Sequence, residues 1–143
     1  MASDWPDEAV LLAGRPGEGA VYGCWSMSLV RGEHAGDVFC VGTPVDTAMT
    51  VYMHRQGVRP TGVIGSDGGF GRGQMAIAGL GILERLGIAC AAVSHLSADL
   101  GDAGSICREG RVTRANEQAQ AAGVAVGMTA MAAAAAMLRG ARG

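Results

Sequence analysis

The order of apolar and polar positions divides the chain into two unlike parts. In the first, the runs EAVLLA and GAVYGCWSMSLV flank Arg15-Pro16-Gly17-Glu18-Gly19, a turn-forming stretch. Within the second run Val21, Trp25, Met27 and Leu29 fall on one side and Ser26 and Ser28 on the other. That period of two predicts a strand with one wet face. Residues 1–36 therefore read as an antiparallel hairpin. From Asp37 the pattern changes: DVFCVG, TGVIGS and ACAAVSH are short, nearly continuous apolar runs separated by stretches with helical spacing.

In the first of those stretches, TPVDTAMTVYMHRQG, Thr43 is placed to cap a helix. Pro44 suits its first position, and Asp46 sits near the positive end of its dipole. The next helix is expected from Gln74 to Leu86, where Met75, Ile77, Ala78, Leu80, Ile82 and Leu83 are apolar almost all round. A polar loop over Leu96–Gly110 leads into a helix expected over Val112–Ala122, and Thr129 caps an alanine-rich helix ending at Gly140. Three helices share one terminator, a glycine followed by a β-branched residue: Gly57-Val58, Gly87-Ile88 and Gly123-Val124. Glycine takes the left-handed position after the last turn, and the next apolar side chain folds back on the helix. Apolar strands alternating with helices predict a three-layer α/β fold. Its sheet is mostly parallel, with the N-terminal hairpin as an antiparallel extension (1–36) of the alternating region (37–143). No repeat or linker divides residues 1–143 into more than one domain.

In such sheets ligands bind beyond the carboxyl ends of the strands. Four loops are expected to meet there. They carry Gly42 and Thr43; Ser66, Asp67, Gly68 and Gly69; Ser94 and His95; and Asp102 with Ser105. The second loop, GSDGGFGRG, holds five glycines ahead of a helix and can offer bare N–H groups to an anion. The same glycines can equally serve tight turning and close packing. Gly71, Gly73 and Ala76 formally match a dinucleotide fingerprint, but it starts too late after the strand, and no acidic residue ends the next strand. His95 is the one histidine expected at a strand end; His34 falls in a turn and His54 on a helix. With Asp67 and Asp102 in reach it can serve as a general base with an orienting carboxylate. Ser66, Ser94, Ser97, Ser105 and Cys107 are conceivable nucleophiles, none of them in a nucleophile elbow. His95, Asp99 and Asp102 could be imagined around a metal, but such spacing on a loop is common by chance, and no metal is assigned. Arg72, Arg108 and Arg111 flank these loops and suit a carboxylate. Asn116, the chain's single asparagine, falls inside an expected helix, where it is unfavourable unless its side chain ties down a loop.

Composition removes several alternatives. A net charge of −2 and a pI near 5.8 give no bulk attraction to nucleic acid or to an anionic membrane surface. All 11 basic residues are arginines, which excludes a Schiff-base lysine and a P-loop lysine. Cys24, Cys40, Cys90 and Cys107 lack C-x-x-C spacing and read as buried thiols of a reducing, cytoplasmic setting. The acidic start MASDWPDEAV does not read as a signal peptide. Ala121–Leu138 carries no charge, yet its alanines and the GMT break at Gly127 keep it short of a membrane span. A run so free of charge suggests a contact between copies of the chain, hence a homo-oligomer.

The residues Gly101-Asp102-Ala103, Asn116, Ala119, Gly123-Val124 and Gly127-Met128-Thr129 resemble small bacterial and archaeal proteins of domain-of-unknown-function families. The segment AIAGLGILERLGIACAAVSHLSADLGDAG, Ala76 to Gly104, is similar to a set of bacterial proteins in which the post-loop helix and a Ser-Ala-x-x-Gly-Asp segment recur. The resemblance covers roughly residues 65–133 and implies no reaction. It draws attention to Asp67, Gly68, Gly69, Ser97, Asp102 and Asn116. Where that set has an asparagine before the loop acid, this chain has Ser66.

Together these features point to a small cytoplasmic enzyme of hydrolase or lyase type, acting on a small polar, carboxylate-bearing metabolite. Asp67, His95 and Asp102 would carry the chemistry. Thr43, Ser66, Gly68, Gly69, Arg72, Ser94, Ser97, Ser105 and Asn116 would contact the substrate. No cofactor motif is evident. The alternatives are a non-catalytic module for a metabolite or nucleotide and an assembly subunit of a larger complex. On the enzyme and binder readings, Asp67→Ala should leave folding intact.

Overall fold

The computed structural model describes residues 10–15, 19–24, 36–55, 57, 59–70, 72–97 and 103–142. Six strands form one sheet in chain order: β1 (Val10–Ala13), β2 (Val21–Cys24), β3 (Val38–Pro44), β4 (Gly62–Ser66), β5 (Ala89–Val93) and β6 (Val112–Ala115). β2 to β5 run parallel to one another, while β1 and β6 lie antiparallel at the two edges. The helices are α1 (Thr47–Arg55), α2 (Gly79–Arg85), α3 (Ala103–Glu109), α4 (Glu117–Ala121) and α5 (Ala130–Arg142), with a 3-10 helix over Arg72–Ile77.

Successive strand residues point to opposite faces, and each face builds its own apolar cluster. Phe39, Val41, Val63, Cys90 and Ala92 pack under Met49 and Met53 of α1 and Leu83 of α2. Val38, Cys40, Ile64, Ala91 and Val93 pack under Ile106 and Cys107 of α3 and Ala130, Ala133, Ala134 and Met137 of α5. The expected mixed α/β sheet, covered on both faces and led by an antiparallel pair, is what forms. All four cysteines are buried and none forms a disulfide.

The expected helix terminators also form. Gly57, Gly87 and Gly123 adopt φ of 65°, 75° and 107°. After α2, Gly87 donates to the Glu84 carbonyl and Ile88 to that of Leu83; after α4, Gly123 donates to Gln120 and Val124 to Ala119. These are the paired bonds of a Schellman ending.

Several boundaries differ from expectation. β2 has no wet face over its described length, because it lies between β1 and β3 and Val21, Tyr22 and Cys24 are all buried. Residues 25–35, which carried the rest of that pattern, lie outside the described residues. β3 runs on to Pro44, so Thr43 caps nothing; Asp46 accepts the Met49 N–H through Oδ1 at 3.0 Å, and α1 starts after it. The helix expected over Gln74–Leu86 breaks in two. Gln74 has φ of 62°, and the Gly79 N–H leaves the helical pattern to reach the Val45 carbonyl at 2.8 Å. A side chain at Gly79 would place its Cβ 2.5 Å from that oxygen, so this close approach needs glycine. The stretch expected as a loop over Leu96–Gly110 contains α3.

The largest correction lies at Val112–Ala122, expected as one helix and found as edge strand β6 followed by α4. Asn116 separates them as the N-cap of α4 and is buried. Its Oδ1 accepts the N–H groups of Cys90 and Ala119, both at 3.0 Å, and its amide donates to the carbonyls of Ile88 at 2.9 Å and Leu80 at 3.3 Å. One side chain thus ties α2, the start of β5 and α4 together. Asn116→Ala leaves four backbone groups without these partners and is expected to cost about 2–4 kcal/mol, read as a lowered urea midpoint.

Ala130, Ala133, Ala134 and Met137, which suggested a contact between copies, are buried against the chain's own sheet. Their apolar character therefore needs no second copy to explain it. Among the described residues no helix is long and apolar enough to cross a membrane. Thr129 does cap α5, accepting the Ala132 N–H at 3.2 Å.

Candidate functional site

Because β3, β4 and β5 are parallel, the turns that leave them emerge at one end of the sheet. The Val45 N–H donates to the Ser66 carbonyl, and the Asp67 N–H to the Val93 carbonyl at 2.7 Å. Asp67 is the first residue after β4, and its side chain turns toward the β5 exit. Oδ1 accepts the N–H of Gly69 at 2.8 Å and of His95 at 3.1 Å, and lies 3.2 Å from His95 Nδ1. Oδ2 accepts the Thr113 hydroxyl at 2.8 Å.

Thr113 reaches this carboxylate because β6 carries a bulge. Ala92 pairs with Arg114 and Val93 with Val112, so Thr113 is an extra residue opposite one step of β5. A bulge re-aims the side chain of its extra residue. Here the hydroxyl is brought to Asp67, with the Ala92 carbonyl also within 3.3 Å.

Asp67 is 1% exposed. Burial alone would push its carboxyl pKa up. The Gly69 N–H, the Thr113 hydroxyl and the N–H and ring of His95 outweigh burial, and the group titrates below its ordinary value of 3.8. It is therefore an ionised acceptor with its lone pairs already engaged, suited to orienting its neighbour rather than to taking a proton itself. A carboxylate can only accept, so His95 Nδ1 carries the hydrogen between them. In the neutral ring that leaves Nε2 as the basic nitrogen. The His95 side chain is 45% exposed, while its partner carboxylate is sealed beneath.

The glycines of the loop serve this arrangement. Gly69 has φ of 73°, and a Cβ there would stand 3.5 Å from His95 Cε1 and Nε2, so the imidazole lies directly over its backbone. Gly69→Ala is expected to destabilise by about 1–2 kcal/mol through the left-handed backbone, seen as a lower melting temperature. Two larger residues also take left-handed conformations here: Phe70 at φ 69° and Gln74 at φ 62°. Such strain persists only where surrounding bonds enforce it. Phe70 donates its N–H to the Asp67 carbonyl and accepts the Ala76 N–H.

The remaining expected residues divide clearly. The N–H groups of Gly68 and Gly69 do not stand bare for an anion; Gly68 donates to Ser66 Oγ at 3.0 Å and Gly69 to Asp67. Ser94 Oγ accepts the Leu96 N–H, the Ser94 carbonyl accepts the Ser97 hydroxyl, and Ser97 Oγ accepts the Arg111 N–H. These serines close the turn after β5 and fasten it to β6; among the described residues no serine bonds to the imidazole. Thr43 lies half-buried in β3 at the same end of the sheet. Ser105 is buried on α3. Asn116 sits beside Cys90, at the opposite end of β5, and is not brought to the site. Arg72 begins the 3-10 helix. Arg111 donates to the Gly127 carbonyl at 3.5 Å, and Arg108 lies in the last turn of α3. Asp99 and Asp102 lie outside the described residues.

Sequence reasoning missed Thr113 and Arg114. Arg114 lies 4.7 Å over the Phe70 ring and donates to the Thr113 carbonyl at 2.8 Å. The signal was present in Val112-Thr113, a β-branched pair after Gly110, with Asn116-Glu117 as the start of a new helix. Among the described residues no group of His, Cys, Asp and Glu is placed to hold a metal ion. A cavity of about 460 Å³ opens at the other end of the strands, lined by Arg59, Leu86, Ile88, Gln118 and Met137 among others. Its lining holds no titratable side chain other than the arginine, whereas Asp67 and His95 are paired at the opposite end.

Fold and site together define a mixed α/β protein with a carboxylate–histidine dyad beyond the carboxyl ends of its parallel strands. Compared with protein-family models, with curated proteins and with solved structures, the chain matches none.

Proposed function

We propose that the chain is a small enzyme of hydrolase or lyase type, in which His95 Nε2 removes a proton from water or from a small polar substrate and later returns it. The observation that carries this reading is the half-exposed imidazole held at 3.2 Å by a buried, fully hydrogen-bonded carboxylate. That pairing fixes the tautomer and leaves Nε2 as the basic nitrogen of a half-exposed ring. The strained backbone of Phe70 and Gln74 in the adjoining loop supports it, since such conformations cluster where ligands are handled.

The test is a turnover screen of the purified chain against amides, lactones and hydroxy acids, monitored by proton NMR. Activity is expected in at least one class and should fall by about 10²-fold or more in His95→Gln. Activity left undiminished by this substitution overturns the assignment of the base. A compound that raises the melting temperature without being converted favours a non-catalytic binding module instead.

A further inference from the structure

We propose that Arg114, seated on Phe70, is the anion-binding group of this site, and that the ligand it selects is a small carboxylic acid rather than a phosphate ester. The inference rests on the same site as the enzyme reading but on different atoms. Three observations carry it. The bulge in β6 delivers two consecutive side chains to one place, Thr113 to the Asp67 carboxylate and Arg114 to the Phe70 ring. Phe70 comes directly after Gly69, the residue under the imidazole, and holds a left-handed backbone at φ 69° that sets its ring beneath the guanidinium. Arg114 is exposed, uses one donor on the Thr113 carbonyl, and has no carboxylate partner among the described residues.

An arginine stacked on an aromatic ring is pre-organised, and its planar fork matches a carboxylate bidentately. Phosphate recognition by a glycine loop depends on a cradle of free backbone N–H groups. In this loop the N–H groups of Gly68, Gly69 and Phe70 are all engaged by the chain itself, on Ser66 Oγ, Asp67 Oδ1 and the Asp67 carbonyl. A single fork beside three N–H groups that are already engaged suits a flat carboxylate better than a tetrahedral group.

The experiment tracks the His95 Cε1–H resonance of the full chain, assigned by its loss in His95→Gln, during titration at constant pH and ionic strength. The probes are malonate and inorganic phosphate. Malonate is expected to shift the resonance saturably, and phosphate to bind about tenfold more weakly or not at all. Arg114→Gln should weaken malonate about tenfold or more, as expected for a lost charge-assisted bond. Arg114→Lys, which keeps the charge and loses the fork, should weaken it severalfold. No saturable shift with malonate, equal or tighter binding of phosphate, or undiminished malonate binding in Arg114→Gln each overturns the proposal. His95-dependent turnover with none of these malonate effects removes this proposal and leaves the enzyme reading. Arg114-dependent malonate binding without turnover does the reverse.

Discussion

Asp67→Ala is expected to lose about 3–5 kcal/mol of folding stability, because several hydrogen bonds to one charged, buried group, each worth about 1.5–3 kcal/mol, are lost together. Four groups converge on this carboxylate: the N–H groups of Gly69 and His95, the His95 ring and the Thr113 hydroxyl. Alanine leaves the two backbone donors, both in part-buried bonds, with no carboxylate to accept them. In a chain of 143 residues this is a lowering of the melting temperature by roughly 10–20 °C. Along the chain Asp67 reads as a site residue whose loss leaves folding intact; a carboxylate 1% exposed cannot be spared by the fold. A fall of less than about 1 kcal/mol in a urea titration would contradict this view of Asp67.

The same carboxylate sets an acid limit. Its folded pKa is lowered, so the stability it contributes is fully present above the unfolded value near 3.9 and is lost as pH falls through the lower folded value. Asp67→Asn cannot titrate. Its stability should therefore fall less steeply than the wild type's below about pH 4, with the two curves converging in acid.

His95→Gln is expected to act on the other axis. Loss of a positioned general base lowers turnover by about 10²–10⁴-fold, while stability should change by no more than about 1 kcal/mol. The imidazole is 45% exposed, and its ring contributes one of the contacts on Asp67; the His95 backbone N–H stays in place in the variant. The check is kcat on the substrate class found in the screen, together with a melting curve of the same preparation. A large drop in stability with unchanged kcat would make His95 a structural residue and end its role as base. The contrast between the two variants comes from depth: the acid is buried beneath the loop, and the imidazole above it is half-exposed.

Much of this arrangement could be read along the chain, because local rules act over a few residues. Gly57, Gly87 and Gly123 mark helix ends through a backbone conformation that glycine favours. DVFCVG, TGVIGS and ACAAVSH are apolar on both sides, as strands covered by helices must be. Asp67 and His95 stand at the ends of two such runs, and parallel strands bring their exit residues to a common edge. The pairing of these two residues was legible for that reason.

The places where reading failed involve forces that act across the sheet. Val112-Thr113-Arg114-Ala115 carries arginine and alanine, both good helix formers, yet the open edge of β5 offers hydrogen bonds that outweigh so weak a preference. Once that segment is a strand, its bulge sends Thr113 and Arg114 to the site, and Asn116 becomes a buried cap at the far end. The loop glycines could be counted from the chain. That their N–H groups would turn inward, onto Ser66 and Asp67, depended on where the Asp67 carboxylate came to rest. Local propensity, worth tenths of a kcal/mol per residue, drew the outline of strands and helices. The partners of each polar group were decided by tertiary structure, which brought segments distant in sequence within roughly 3 Å of one another, the range over which a hydrogen bond forms.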